Sequence, residues 1–174
     1  MTDLFAVLGL PRSAWLDADE IKERHHALMA SGSASSATLL NEARRTLQNP
    51  ALRIRHFLAL EFPDFAPATR PHQDWEFFLK IGQATREASE LAAKKSSLSI
   101  PLARAALQNE ILAKSETLLL LKAEIETRLA ACDDRLKISA GPEVLTALAE
   151  EFAFLQKNET SVREALLALD QGLA

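Results

Sequence analysis

Residues 142–169 read PEVLTALAEEFAFLQKNETSVREALLAL. Apolar side chains recur there at intervals of three, four and seven residues, the period of one face of an α-helix. This stripe consists of Leu145, Leu148, Phe152, Leu155, Val162, Leu166 and Leu169. Pro142 opens the stretch, in a position where proline is tolerated because the first helical N–H has no partner within the helix. The stretch therefore predicts a long amphipathic helix.

Two other segments in the second half of the chain show the same period. One starts at Trp75 and carries its stripe at Phe77, Ile81, Ala84, Ala88 and Leu91. The other is predicted to open with Ser99 as cap and Pro101 in the first turn, and its stripe is Leu107, Ile111, Leu118, Leu121 and Ile125. Loops are predicted at residues 94–99 and 133–142. Long helices joined by short loops predict an antiparallel three-helix bundle over residues 74–174.

The first half of the chain predicts shorter helices. One covers Leu4 to Leu8 and ends at Gly9, a second begins after Asp17, and two more are expected at about 37–48 and 51–60. Three prolines then interrupt any helix between residues 63 and 73, so this segment is predicted to be a linker. The sequence as a whole predicts an all-α fold, with a small helical domain at 1–62 and the bundle at 74–174.

Composition excludes several classes of function. The 174 residues have a net charge of -4, which is unlike a globally basic nucleic-acid binder. One Cys excludes an intramolecular disulfide framework and an iron–sulfur cluster held by the chain's own thiolates. The N-terminus carries Asp3 where a signal peptide has positive charge, and the longest apolar run is only Leu118–Leu121. We therefore expect a soluble cytoplasmic protein that does not enter a membrane.

No group of residues predicts an enzyme, a metal site or a cofactor. His25 and His26 are adjacent on a predicted helix, where side chains point about 100° apart and do not readily share one metal. His25 is predicted half-buried and His26 solvated. Cys132 precedes Asp133 and Asp134, whose carboxylates are expected to raise the thiol pKa and so to disfavour a reactive nucleophile.

A small group of arginines is expected on the surface of the third and fourth helices. It consists of Arg44, Arg45, Arg53 and Arg55. The group could meet an acidic partner, or it could be ordinary solubilising charge.

Four apolar side chains lie away from the stripes of their helices. At 100° per residue, Trp75 and Leu79 point opposite the stripe of their helix, and Phe78 points to one side. Phe154 lies about 120° away from the Phe152–Leu155 stripe by the same count. These side chains either pack the first domain against the bundle or form an exposed docking patch for a protein partner.

Several short motifs, taken in order, resemble HscB-type J-domain co-chaperones. In the first half they are Leu8-Gly9-Leu10-Pro11, Leu16-Asp17, Asn41-Glu42-Ala43, Thr46-Leu47 and Asn49-Pro50-Ala51-Leu52-Arg53. In the second half they are Phe78-Leu79, Arg86-Glu87 and Phe152-Ala153-Phe154-Leu155-Gln156-Lys157. The resemblance covers nearly the whole chain. It implies a J-domain-like fold followed by the three-helix bundle.

The resemblance also implies two partners in iron–sulfur cluster assembly. In the family, the J domain stimulates a DnaK-type ATPase through a His-Pro-Asp triplet, and the bundle binds the iron–sulfur scaffold protein. Here the place of the triplet is taken by Ser33-Ala34-Ser35. The second helix also lacks the family's strong positive charge, since Lys22 and Arg24 are set against four acids. We therefore expect a degenerate member that stimulates ATP hydrolysis little or not at all.

The family's scaffold contacts map onto one segment of the chain. By resemblance they fall at Leu79, Lys80, Gln83, Ala84, Glu87 and Leu91, of which only Leu79 and Glu87 keep the family's chemistry. Phe154 matches the aromatic contact on the last helix. The predicted partner-binding residues are therefore Leu79, Glu87, Phe154, Trp75 and Phe78. The alternative is a J-like interaction or assembly module with a different partner and no chaperone activity.

Overall fold

The chain is all-α, as predicted. The structure is a computed structural model, and residues 1–32, 36–66 and 74–170 are described from it. Within these ranges the chain forms eight helices and no strand. The helices are α1 (Leu4–Leu8), α2 (Ala18–Ala30), α3 (Ala37–Gln48), α4 (Pro50–Glu61), α5 (Trp75–Ser97), α6 (Pro101–Ala106), α7 (Gln108–Ile138) and α8 (Pro142–Asp170). The Ser33-Ala34-Ser35 stretch and residues 67–73 of the predicted linker lie outside the described residues.

The chain forms two compact units, and the two longest helices contribute to both. The first unit comprises Met1–Arg70 and Ala131–Ala153, and the second comprises Pro71–Ala130 and Phe154–Ala174. One division falls between Arg70 and Pro71, and two more fall within α7 and α8. The predicted domain bounds, 1–62 and 74–174, stay a prediction. The more specific arrangement, a J-domain-like fold followed by a three-helix bundle, stays a prediction.

The core of the first unit is built around α1 and α3. Helix α1 begins where the Asp3 carboxylate accepts the N–H groups of Phe5 and Ala6, at 3.0 and 3.2 Å. It ends at Gly9, whose φ of 64° lies in the left-handed region that favours glycine. Both predicted ends of this helix are confirmed. Its buried face packs into a cluster of Leu4, Phe5, Leu8, Leu10, Leu16, Ile21, Leu40, Ala43 and Leu47.

A buried histidine on α4 satisfies the first backbone donor of α1. The Leu4 N–H donates to Nε2 of His56 at 3.1 Å, so this nitrogen carries no proton. The ring also stacks on Phe5, with centroids 5.5 Å apart. Burial lowers the pKa of His56 below its usual 6.5, although the nearby Asp3 carboxylate acts in the opposite direction. The folded first unit therefore favours neutral His56.

We expect mild acid to destabilise the first unit through His56. Because its pKa is lowered on folding, the unfolded chain binds more protons just below pH 6.5, and stability falls as the pH decreases through this window. Urea unfolding at about pH 7.5 and about pH 5.5 measures the effect. His56→Gln is expected to reduce the pH dependence, and the exposed His26→Gln serves as control. Equal pH dependence in wild type and His56→Gln would contradict this assignment.

Arg53 lies in the interior of the first unit, and its expected place in a surface basic group is wrong. The side chain is buried, with 2% exposed. Its Nε donates to the Ala14 carbonyl at 2.8 Å, and its Nη1 donates to the Leu47 carbonyl at 2.6 Å. The Leu47 carbonyl belongs to the last turn of α3, where carbonyls have no partner within the helix. Arg53 therefore closes the end of α3 against the loop that precedes α2.

Two helix boundaries of the second half differ from the prediction. The helix expected from Pro101 is divided at Leu107 into α6 and α7. Its N-cap residue is Ile100 rather than the predicted Ser99, and Ile100 makes no side-chain cap hydrogen bond. The loop predicted at 133–142 is helical through Ile138. Helix α7 continues there because Leu136 is buried and because Lys137 pairs with Asp133 and Asp134, four and three residues away. The two acids support the helix instead of ending it.

Side-chain contacts define how the helices of the second unit run. From α5 to α7, Lys80 pairs with Glu124 and Glu87 pairs with Lys114, so positions increase on one helix as they decrease on the other. This order is that of antiparallel helices.

A buried lysine near the end of α5 also links it to α8. Lys95 donates to the Leu169 carbonyl at 3.0 Å and thereby caps the end of α8. Helix α5 extends through Ser97, so most of the loop predicted at 94–99 is helical. The buried Lys95 thereby links the last turn of α5 to the end of α8.

Within residues 1–32, 36–66 and 74–170, no helix has both the length and the apolar character that a membrane crossing needs.

Candidate protein-binding site

Helix α5 has one buried face and one exposed apolar face. The Asp74 carboxylate caps its start by accepting the Phe77 N–H at 3.2 Å. Phe77, Ile81, Ala84, Ala88 and Leu91 are buried, as their spacing predicts. Trp75, Leu79 and Phe78 are 63%, 51% and 40% exposed. The predicted separation of these three side chains from the buried stripe is therefore observed.

The exposed side chains continue onto α8 as one aromatic cluster. The rings of Trp75 and Phe78 have centroids 5.3 Å apart, and those of Phe78 and Phe154 have centroids 6.1 Å apart. Phe154 is itself partly buried. We call Trp75, Phe78, Leu79 and Phe154 the aromatic face. Contiguous exposed apolar groups of this kind commonly mark interaction sites in soluble proteins.

The start of α5 is held in place by an arginine that the sequence pattern did not single out. The Arg128 guanidinium lies 3.8 Å from the centre of the Phe77 ring and pairs with Asp74. It also pairs with Glu124, four residues earlier on α7, at 2.8 Å. Asp74 is the N-cap of α5, so Arg128 fixes the turn from which Trp75 projects.

Glu87 lies near the aromatic face but already has partners within the unit. Its carboxylate pairs with Lys114 of α7 and accepts a hydrogen bond from the Gln83 amide at 2.8 Å. The hydrogen bond from Lys114 is the main cause that lowers the pKa of Glu87. A partner that binds Glu87 must share it with, or take it from, these two side chains.

Only some of the positions that match the family's scaffold contacts are exposed on α5. Ala84 and Leu91 are each only 5% exposed, because they belong to the buried stripe of α5. These two mapped positions are therefore not accessible on the surface of α5. Lys80 is exposed and lies 3.7 Å from the Glu124 carboxylate. The accessible part of the mapped site is Leu79, Lys80, Gln83 and Glu87.

A shallow depression on α5 was missed by the sequence reasoning. Gly82 is one of its lining residues, and a Cβ added to Gly82 would meet nothing within 4 Å. The other lining residues are Phe78, Leu79, Gln83, Arg86, Glu87 and Glu90. Gly82 is an isolated glycine within a helical pattern, where glycine is less favourable than alanine by about 1 kcal/mol.

The residues considered for catalysis are Cys132, His25 and His26. Cys132 is buried, and burial, followed by the neighbouring Glu151 carboxylate, raises its pKa to about 12. The raised pKa was expected, but its cause is burial and Glu151 rather than the adjacent aspartates. His25 is buried instead of half-buried, with Nε2 3.0 Å from the Asn41 side-chain oxygen, and His26 is exposed.

Within 1–32, 36–66 and 74–170, no three side chains from His, Cys, Asp and Glu are grouped so that they could hold an ion.

No family model matches the chain, and no curated protein matches it.

Proposed function

We propose that this chain is a non-enzymatic cytoplasmic adaptor of the HscB type, which binds an iron–sulfur scaffold or similar client protein through the aromatic face. The observation that carries the proposal is the continuous cluster of Trp75, Phe78 and Phe154, with two of its three rings exposed. Large aromatic side chains are the residues most often found to dominate the free energy of protein association. The scaffold enters the proposal through the family resemblance.

The proposal assigns little stimulation of a DnaK-type chaperone to the first unit. Helix α2 has acids at Asp19, Glu20 and Glu23, and Lys22 pairs with Asp19 at 3.1 Å. The remaining positive charge is too small to attract an acidic surface on a chaperone. The sequence also has Ser33-Ala34-Ser35 in the place of the family's His-Pro-Asp triplet, which stimulates the chaperone's ATPase.

A second candidate is an interaction module with the same surface and a different client. It is favoured by the departures from the family at Lys80 and by the burial of Ala84 and Leu91. In this version the aromatic face still binds a protein, but the scaffold is not that protein.

Binding of a purified iron–sulfur scaffold protein tests the proposal. Titration calorimetry is expected to give binding in the micromolar range for wild type. Trp75→Ala with Phe78→Ala is expected to weaken it by about 10- to 100-fold, since two exposed anchors are removed. Leu120→Ala removes an apolar side chain that is 73% exposed on α7 and is the matched control.

Three outcomes separate the candidates. Equal affinity for wild type and the aromatic double variant would exclude the aromatic face as the binding surface. Absence of scaffold binding, together with capture of another protein by wild type and not by the double variant, would favour the second candidate. Normal J-type stimulation of a DnaK-type ATPase would contradict the reduced role given to the first unit.

A further inference from the structure

The exposed face of α5 has the spacing of a helix–helix seam. Trp75, Leu79, Gly82 and Arg86 follow each other at intervals of four, three and four residues. This is the interval at which the contact positions of a coiled coil recur. All four are exposed and lie on the side of α5 opposite its buried stripe. A second helix could therefore pack along this line.

Two copies of this line of four residues complement each other when the helices run antiparallel. In an antiparallel pair centred between Leu79 and Gly82, Leu79 of one helix meets Gly82 of the other, and Trp75 meets Arg86. Leu79 then occupies the depression above Gly82, where a Cβ would meet nothing within 4 Å. Trp75 places its ring against a guanidinium, which is a favourable cation–π contact. Two-fold symmetry produces each contact twice.

Gly82 is otherwise unexplained within the chain. Glycine in the middle of a helix is less favourable than alanine, because its backbone loses more conformational freedom on folding. No neighbouring atom requires the absence of a Cβ at this position. Close approach by a second backbone gives the glycine a physical reason.

The charges on this surface also permit self-association. Arg86 pairs with Glu90 at 2.8 Å, and both side chains are largely exposed. The guanidinium can therefore face an aromatic ring while it keeps its carboxylate, and no unpaired charge is buried at the Trp75 contact. A single helix pair lies at the low end of interface sizes, so the association should be weak and reversible.

We propose that two copies of this chain associate through antiparallel α5 helices and so cover the aromatic face until a client displaces the second copy. The displacement rests on the proposed function, because it requires a client at the same face. The self-association does not rest on it.

Sedimentation velocity over a concentration series tests the self-association. Wild type is expected to shift from monomer to dimer as its concentration rises toward about 1 mM. Arg86→Glu is expected to weaken the dimer at least about tenfold, because it puts a carboxylate against the Trp75 ring, whereas Arg86→Lys keeps a cation there. Arg163→Glu makes the same charge change at an exposed position of α8 and is the control.

Paired cysteines test the direction of the two helices. Positions 75 and 86 are about 16 Å apart along one helix, too far to form a disulfide within a chain. Trp75→Cys combined with Arg86→Cys is expected to give a covalent dimer on oxidation, and either single variant is not. The native Cys132 is buried and should not react.

The outcomes distinguish this inference from the proposed function. Wild type that stays monomeric throughout the series, or a single Trp75→Cys variant that crosslinks as well as the double variant, overturns the antiparallel dimer. If wild type binds scaffold but never self-associates, the proposed dimer is overturned and the proposed function is retained. If it dimerises and scaffold does not reduce the dimer fraction, the displacement is overturned and the dimer is retained.

Discussion

Replacement of Arg53 by methionine is expected to lower the free energy of unfolding by about 2–4 kcal/mol. The change leaves the carbonyls of Ala14 and Leu47 without the donors that now reach them at 2.8 and 2.6 Å. Each buried acceptor that loses its partner costs about 1–3 kcal/mol. Burial lowers the pKa of Arg53 to about 10, so the charged side chain is itself disfavoured there, and part of the loss is offset.

Urea unfolding followed by circular dichroism measures this effect. Arg55→Met is the matched control, because Arg55 is exposed two residues away on the same helix. It should change stability by no more than about 0.5 kcal/mol. Arg53→Lys should be intermediate, since an ammonium lacks the planar geometry that serves two carbonyls. Equal stability of the Arg53→Met and Arg55→Met variants would show that the two hydrogen bonds do not stabilise the end of α3.

Leu121→Ala is expected to destabilise the protein by about 2–5 kcal/mol. Leu121 is 1% exposed, and truncation of a leucine at such a position removes apolar contacts and leaves a cavity. The adjacent Leu120 is 73% exposed and gives a control with the same chemical change. For Leu120→Ala we expect a change within about 0.5 kcal/mol.

This pair of variants examines which side of α7 faces the core. The Leu118–Leu121 block is apolar around most of the helix, yet Leu118 and Leu121 are buried while Leu119 is 54% exposed. Thermal unfolding of the two alanine variants distinguishes the sides directly. A larger loss in Leu120→Ala than in Leu121→Ala would mean that α7 packs through the opposite face.

Local signals were sufficient to predict the fold class and several helix ends. Asp3 and Gly9 mark the ends of α1 by a side-chain cap and a left-handed residue, both of which depend only on neighbouring residues. The stripe of α5 predicted its buried face and the separation of Trp75 and Leu79 from that face, but it left open whether these two side chains are exposed. Such features follow from helical period and capping, which a single sequence displays.

Features that depend on distant residues were not predictable. Asp133 and Asp134 look like loop residues, but the helix continues through them because Leu136 is buried. Arg53 looks like a surface charge, and only the fold brings it to the Ala14 carbonyl. At the candidate site, the pairing of Glu87 with Lys114 and the open space above Gly82 likewise depend on how α5 is surrounded.

The division of α7 and α8 between the two units affects the order in which the protein is completed during synthesis. Residues 131–153 belong to the first unit, and residues 71–130 of the second unit are translated before them. The ribosome therefore delivers the last part of the first unit after most of the second unit has already been made. An amino-terminal domain normally folds first because it emerges first. Here the first 70 residues contain the buried cluster around α1 and α3, but the first unit is complete only once residue 153 has been made.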